Sequence, residues 1–343
     1  MNICIWDIET DSSQTDFLNI LEIGGILLND NFQELDRFSL RCRLPDGAIP
    51  QAAALLVNKT PVKMLTQANL SQYQMLGEVE KQFKKYSPAI FIGYSNINFD
   101  DEAIRKSFFR TLRYPYITNA APNKRHDGLN IVRAAYAVDN SIFKTETNEK
   151  GNAVMKLESL CKNNGIETSG AHSALFDANL TKLLLEKIYK NQNTTWKSAL
   201  LTSSRNDTNN ILKKEKIFTL NEYFYGKSRL YLCCSLYPEL SIHPVYQWDL
   251  AYDLRHDVQP LLGLSIKDLK LEMKKAPKFL RTIRSNKAPI ILHSDFGKKV
   301  EPYNAINLDT IKKRAELVTK NKEFAQKINL ILKEIAEEKK ETE

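Results

Sequence analysis
Apolar residues fall along this chain first as short continuous runs and later as longer periodic stretches. The runs at 3–10, 19–28 and 38–44 are rich in β-branched residues, and the third closes on Pro45-Asp46-Gly47. Short links with turn residues between them predict three strands in an antiparallel meander. Residues 52–86 are helical in pattern, with Thr60-Pro61 placing a proline in a first turn. A wholly apolar run at 89–93 predicts a fourth strand, which leads straight into Tyr94-Ser95-Asn96-Ile97-Asn98-Phe99-Asp100-Asp101. Helices are predicted over 101–112 and 128–137, a polar loop over 139–153, and a short helix over 157–163 closed by Gly165. In 174–189, Ala174, Ala178, Thr181, Leu185 and Ile188 recur at helical spacing. This order of strands, then strand and helices, predicts an α/β domain over 1–190.

The pattern then changes. Residues 191–210 are rich in Asn, Thr and Ser and form a candidate linker. Runs at 218–225, 228–237, 245–254 and 279–292 predict strands, with one helix near 265–274, which suits a small barrel-like β domain over 211–305. Residues 306–343 are predicted helical, with Phe324, Ile328, Ile331 and Ile335 as an apolar stripe and a charged tail at 337–343.

Length and composition narrow the class. A chain of 343 residues is too long for one ordinary core, and 43% hydrophobic with 26% charged residues fits a soluble globular protein. No apolar run approaches the ~20 residues of a spanning helix. The N-terminus lacks the basic segment of a signal peptide. Cys4, Cys42, Cys161, Cys233 and Cys234 are odd in number and show no CxxC spacing, which predicts a reducing, cytoplasmic setting. Residues 1–190 carry 22 Lys+Arg against 22 Asp+Glu, whereas 191–343 carry 27 against 19, so the whole excess of +8 lies in the second part. A neutral part beside a basic one suggests catalysis in the first and polyanion binding in the second; for the charge alone, a lysine-rich solvated surface is the simpler account.

Three short patterns carry chemistry. Asp7 and Glu9 lie two apart in the first strand and therefore face the same side. They are either the wet end of that strand or a pair that needs a cation or donors to offset mutual repulsion. Asn96-x-x-Phe99-Asp100 sits where a buried strand meets a helix. His172-x-x-x-x-Asp177 spans five helical positions, about 500° of turn, so His172 belongs in the loop before the helix and Asp177 one turn inside it, facing the core. His172 alone would be an ordinary helix-start residue. Four carboxylates from three separate elements are most simply reconciled by divalent cations bound through oxygen. Two such ions about 3.5–4 Å apart clamp the attacking and leaving oxygens of a phosphodiester, and a neutral histidine can take the proton of the attacking water.

In this order the three patterns resemble the motifs of the DEDDh 3′→5′ exonucleases. Longer segments resemble the bacterial exodeoxyribonuclease I family: Gly93 through Glu102, Tyr114-Pro115-Tyr116, Asn123-Lys124-Arg125-His126-Asp127, Arg133-Ala134, Lys156-Leu157-Glu158-Ser159-Leu160, Asn164-Gly165-Ile166-Glu167 leading to Ala171-His172, and Arg284-Ser285-Asn286-Lys287-Ala288-Pro289-Ile290. The resemblance implies an α/β, RNase H-like mixed sheet flanked by helices, then an SH3-like β-barrel domain and a short C-terminal helical tail. It implies Asp7, Glu9, Asp100 and Asp177 as ligands of two Mg²⁺ ions, with Mn²⁺ substituting, and His172 as general base. It places Glu9, Asn96, Arg105, Tyr116, Arg133 and Lys156 against single-stranded DNA, degraded from its 3′ end to 5′-mononucleotides in DNA repair or recombination.

Lys156 departs from the arginine expected there and, as a point charge, gives up the bidentate grip on a phosphate. By residue type alone, Arg105 and Arg133 are a solvated helix face, and Tyr116 after its proline turn suits packing and substrate contact equally. The family normally continues into a further helical domain, and the present sequence stops at Glu343; contact with single-stranded DNA-binding protein is implied by the family only. A monomer with no membrane partner is expected.

The basic run Lys267, Lys270, Lys274, Lys275, Lys278, Arg281, Arg284 and Lys287, with Tyr223, Phe224, Tyr225, Tyr231 and Trp248 nearby, suits single strands independently, although such aromatics are more often core. Two other readings stay open: a 3′→5′ exoribonuclease using the same residues, and a module that binds single strands without cutting them.

Overall fold
The opening apolar run forms β1 (Asn2–Thr10), which pairs antiparallel with β2 (Ile20–Leu28), itself antiparallel to β3 (Glu34–Arg41). Helices α1 (Ala52–Val57), α2 (Val62–Gln67) and α3 (Gln72–Tyr86) follow, and β4 (Ala89–Gly93) then joins the other edge of β1 in parallel. After α4 (Asp100–Arg110), β5 (Lys124–Asp127) adds a second parallel pairing, so the sheet runs β3-β2-β1-β4-β5. Helices α5 (Gly128–Val138), α6 (Leu157–Asn163) and α7 (Ala174–Asn191) complete this part. The computed structural model describes residues 1–170 and 172–342, in two compact units, Met1–Trp196 and Lys197–Glu343. Ala171, quoted in the segment that leads to the third motif, and Glu343 of the charged tail lie outside the described residues.

Period-two alternation decides which face of β1 does what. Cys4, Trp6 and Ile8 join Met75, Leu76, Val79 and Phe83 of α3 and Ala103, Ile104 and Phe108 of α4 in one apolar core. Ile3, Ile5, Asp7 and Glu9 face the other way, toward α7, which lies against β1 and β2. The two carboxylates thus continue a buried row; they are not a solvated strand end.

Three expectations in this unit are corrected. The helical stretch over 52–86 is three helices, with Pro61 at the N-cap of α2 and Ser71 closing a capping box on Gln74 at the start of α3. The third strand runs 34–41, not 38–44. The short β5 has no apolar run to announce it, since Lys124-Arg125-His126-Asp127 is polar, and His126 and Asp127 are nonetheless buried.

The candidate linker at 191–210 is largely helical: α8 (Asn193–Leu200) and α9 (Arg205–Lys214). Its Ser and Thr residues act as caps and buried hydroxyls. Ser204 accepts the Asp207 N–H, and the buried hydroxyls of Thr202 and Thr208 donate to Ala199 O and Ser204 O, both at 2.9 Å.

In the second unit, β6 (Phe218–Phe224), β7 (Lys227–Ser235), β8 (Asp249–Asp253), α10 (Gln259–Leu262), α11 (Ile266–Lys274), β9 (Leu280–Ile283), β10 (Ile290–His293) and α12 (Ser294–Gly297) precede α13 (Leu308–Lys320) and α14 (Lys322–Thr342). The five strands form one antiparallel sheet, ordered β10-β6-β7-β8-β9. The strand expected over 279–292 is two strands, parted by a 3-10 turn at Ser285–Lys287 and a left-handed Ala288. The stripe Phe324, Ile328 and Ile331 is buried, with Ile335 packed against the same core. Among the described residues, no helix is long and apolar enough to cross a membrane.

Candidate active site
The site is assembled where β1 meets the start of α7. In the β1–β2 register Asp7 stands opposite Gly24 and Glu9 opposite Glu22, so all four positions face the helix. Gly24 permits the approach. A Cβ there would lie 2.3 Å from the Leu175 backbone nitrogen and 2.4 Å from its Cα. With only a hydrogen at that point, the first turn of α7 rests on the strand, and the carboxylate oxygens of Asp7, Glu9 and Asp177 lie within 4.8 Å of one another.

Asp100 reaches the same region by a different route. Gly93 ends β4, where a Cβ would meet Asn96 Cβ at 2.7 Å and Trp6 O at 3.0 Å. Ser95 turns left-handed, at φ 67°, and a 3-10 turn at Asn96–Asn98 delivers Asp100 to the first residue of α4. Asp100 is buried and falls outside the tight trio, yet its charge acts on both Asp7 and Glu9.

Every member of the group holds its proton more tightly than an ordinary carboxyl. Asp7 is raised far, first by burial and then by the charges of Asp100, Glu9, Asp177 and Glu22. Burial, with Asp177, Glu22 and Asp100, pushes Glu9 up to about 8 against a smaller opposing pull from Arg41. Asp100 also rises to about 8, chiefly by burial, and Asp177 rises for the same first reason while the His172 backbone N–H pulls it down. Such a group accumulates negative charge that only protons or cations offset. Its donors are all hard oxygens, the set that suits Mg²⁺, Mn²⁺ or Ca²⁺ and not a thiolate-type zinc site.

A pH dependence follows. A cation must displace the Glu9 proton below pH of about 8. Mn²⁺ affinity is therefore expected to fall as the pH drops from 8.5 to 6, by about tenfold per unit for each proton displaced. Titration calorimetry at three pH values checks this, and a flat affinity would contradict it.

His172 precedes α7 with φ 74°. Its backbone N–H lies 3.3 Å from both Asp177 carboxylate oxygens, and its imidazole Nε2 lies 3.6 Å from Glu158 Oε2. The ring thus sits beside α6 at the edge of the carboxylate group. Lys156, the N-cap residue of α6, is exposed. Arg105 pairs with Glu102 and hydrogen-bonds Tyr116, which is 46% exposed and packs edge-on to Tyr114 at 6.1 Å. The charge of Arg133 acts on Tyr94, whose hydroxyl donates to Met155 O at 2.6 Å, next to Lys156.

Asn96, expected against substrate, is wholly buried in this structure, and its Nδ2 donates to Asp101 Oδ2 at 3.1 Å. The missing side chain at Gly93 draws Asn96 beneath the site, where it braces the α4 N-terminus.

Motif spacing overlooked Glu22, Arg41 and Ser173, which adjoin the site. Their signal was a lone glutamate inside the apolar run 20–28, next to Gly24-Gly25. It also overlooked Asp127, a buried N-cap of α5 that accepts the Ser95 N–H at 3.2 Å and so holds the turn leading to Asp100.

Comparison with known proteins agrees with this arrangement. Exodeoxyribonuclease I of Buchnera aphidicola subsp. Schizaphis graminum is 28% identical over 290 residues, 78% of this chain and 58% of that protein. The chain therefore spans little more than half of that relative's length. The solved structure of Exonuclease I from Methylocaldum szegediense superposes with a TM-score of 0.74 at 22% identity, covering 96% of this chain and 73% of that one. Escherichia coli Exonuclease I in complex with a dT13 oligonucleotide gives 0.75 at 20% identity, covering 96% and 74%. Both share the α/β fold with its mixed sheet flanked by helices. Residues 4–185, which contain every carboxylate of the site, match the RNase T family model described as Exonuclease, and the chain belongs to that exonuclease family.

Proposed function
We propose that this chain is a Mg²⁺-dependent 3′→5′ exonuclease that releases 5′-mononucleotides from single-stranded DNA. The observation that carries the reading is the meeting of Asp7, Glu9 and Asp177 oxygens within 4.8 Å, with Asp100 in electrostatic reach. These four carboxylates would hold the Mg²⁺ ions, which when bound supply an acidified water and charge at the leaving oxygen. In this reading Nε2 of His172 takes the proton of the attacking water, and the nearby Glu158 carboxylate favours the imidazolium that results. Arg105, Arg133 and Lys156 supply charge to the strand's phosphates, and Tyr116 supplies a ring face. A carboxylate group with so many raised affinities for positive charge serves a binding-only module poorly, which favours cutting over mere holding.

The preference for single-stranded DNA draws on the second unit, which we read as the SH3-like domain. The β6–β7 hairpin exposes Tyr223, Phe224 and Tyr225, the last 83% exposed, beside Lys227 and Arg229. Elsewhere Tyr246 stacks on Trp248 at 4.7 Å, with the Arg284 guanidinium 4.5 Å from the Trp248 ring. Exposed rings beside cations suit bases of any sequence. Phe224→Ala with Tyr225→Ala is expected to weaken binding of a fluorescent dT oligonucleotide in EDTA about tenfold or more. Fluorescence anisotropy reads this, and unchanged affinity would remove the hairpin from the binding surface.

Solved structures record Escherichia coli Exonuclease I in complex with a dT13 oligonucleotide, and an ExoI/SSB-Ct complex. We extend both partner classes to this chain, with a role in DNA repair. Five buried free cysteines accord with a reducing, cytoplasmic setting. The test is a rate comparison on matched DNA and RNA oligomers, single-stranded and duplex, with Mg²⁺. Faster release from single-stranded DNA is expected, and equal or faster release from RNA would transfer the reading to an exoribonuclease.

A further inference from the structure
Glu22 is only 3% exposed, faces α7 beside Glu9, and belongs to none of the three motifs. Unlike Asp7 and Glu9, it has a hydrogen-bond partner within the protein on each oxygen. Its Oε2 pairs with the guanidinium of Arg41, its neighbour in the β2–β3 register, and its Oε1 accepts the Ser173 hydroxyl at 2.9 Å. With both oxygens engaged, it is poorly placed to serve as another cation ligand.

Ser173 is the N-cap residue of α7, with extended backbone at φ −123°, ψ 129°, yet its side chain makes no cap hydrogen bond. A serine there ordinarily accepts an N–H of the first helical turn. Here the hydroxyl donates across to the sheet instead. Ser173 also lies between His172 and Asp177, so the bond to Glu22 fixes the segment that carries both. A buried carboxylate matched by two donors gains little stability over an apolar residue of similar size, which points to a task other than stability.

We infer that Glu22 is a positioning residue: through the Ser173 hydroxyl it ties the segment from His172 to Asp177 to β2, with Arg41 balancing its charge. Asp177 is thereby presented to Asp7 and Glu9 in one arrangement. The kinetic consequence rests on the exonuclease reading above, whereas the conformational consequence does not.

Ser173→Ala removes a single hydroxyl and is the primary variant; Glu22→Ala and the double variant complete a cycle. Hydrogen exchange on the full chain is expected to show faster exchange of the backbone amides of 172–177 in Ser173→Ala, with the β-sheet amides unchanged. On single-stranded DNA with Mg²⁺, kcat should fall about 10²-fold with little change in KM, the signature of misplaced reacting groups. Ser173→Thr should restore most of the rate. The double variant should be no slower than the worse single one, since both act through one bond. Unchanged exchange at 172–177 in Ser173→Ala would overturn the inference whatever the activity. Additive losses in the cycle would overturn it as well. A wild-type chain that releases no nucleotides would refute the exonuclease reading, and the exchange result would then decide the inference by itself.

Discussion

Asp7→Asn is expected to reduce mononucleotide release by about 10³-fold or more and, at the same time, to make the cation-free protein more stable. The loss follows from removing a charge at the centre of the carboxylate group, where several kcal/mol of transition-state stabilisation at about 1.4 kcal/mol per decade is at stake. The gain has the opposite origin. Asp7 binds its proton far more tightly in the folded chain than its ordinary value of 3.8, and Glu9 shifts from 4.5 to about 8. Between the unfolded and folded values the native state binds more protons than the unfolded state, so stability falls as the pH rises through that window. Cation-free wild type should therefore lose stability from about pH 4 toward pH 8. An asparagine at position 7 carries no charge and relieves its neighbours. In EDTA at pH 8 its melting temperature should rise, at about 2–4 °C per kcal/mol for a unit of this size. With saturating Mg²⁺ the order should reverse, because only the wild type gains the full stabilisation of a bound ligand. Thermal scans in both conditions check the crossover, and a lower melting temperature for the variant in EDTA would contradict the electrostatic account.

Gly24→Ala should be nearly as damaging without touching a catalytic group. Its Cβ would sit 2.3 Å from a backbone atom of Leu175, and backbone cannot rotate away as a side chain can. Either the strand or the start of α7 must move. Overpacking of this kind costs about 1–3 kcal/mol, and a shift of about 1 Å in a reacting group costs about 10² in rate. Gly25→Ala is the natural control. There the Cβ would meet the Phe38 ring at 2.5 Å, on the core face of the sheet. That variant should lose stability while keeping a larger share of its kcat. If Gly24→Ala retained full activity, the close approach of α7 to β2 would not be what sets the site.

Much of this was legible from residue pattern, and the rest was hidden for physical reasons. The alternation of Ile3, Ile5, Asp7 and Glu9 announced two half-buried carboxylates continuing a buried row, because a strand has only two faces. Five positions from His172 to Asp177 announced a loop residue and a helix residue, since no helix puts both on one side. β5 escaped notice because its polar residues are buried by neighbours far away in sequence, which no local pattern records. The helices within 191–210 escaped because Ser, Thr and Asn mark turns and caps alike. The burial of Asn96 was hidden for a related reason. A motif position says which residue is needed but not whether it touches substrate or braces the residue that does. Glu22 lay in plain view inside an apolar run, and its partners came from β3 and from the start of α7, more than 100 residues further along the chain in the case of Ser173.

The most direct test of the central claim uses a single-stranded DNA oligonucleotide labelled at its 3′ terminus, incubated with the protein and Mg²⁺. The proposed function, with Asp7, Glu9, Asp100 and Asp177 holding the Mg²⁺ ions, predicts that the label appears at once as a 5′-mononucleotide, that EDTA abolishes the release, and that Asp7→Asn nearly does the same. Label recovered only in longer fragments, or full release by Asp7→Asn, would contradict it.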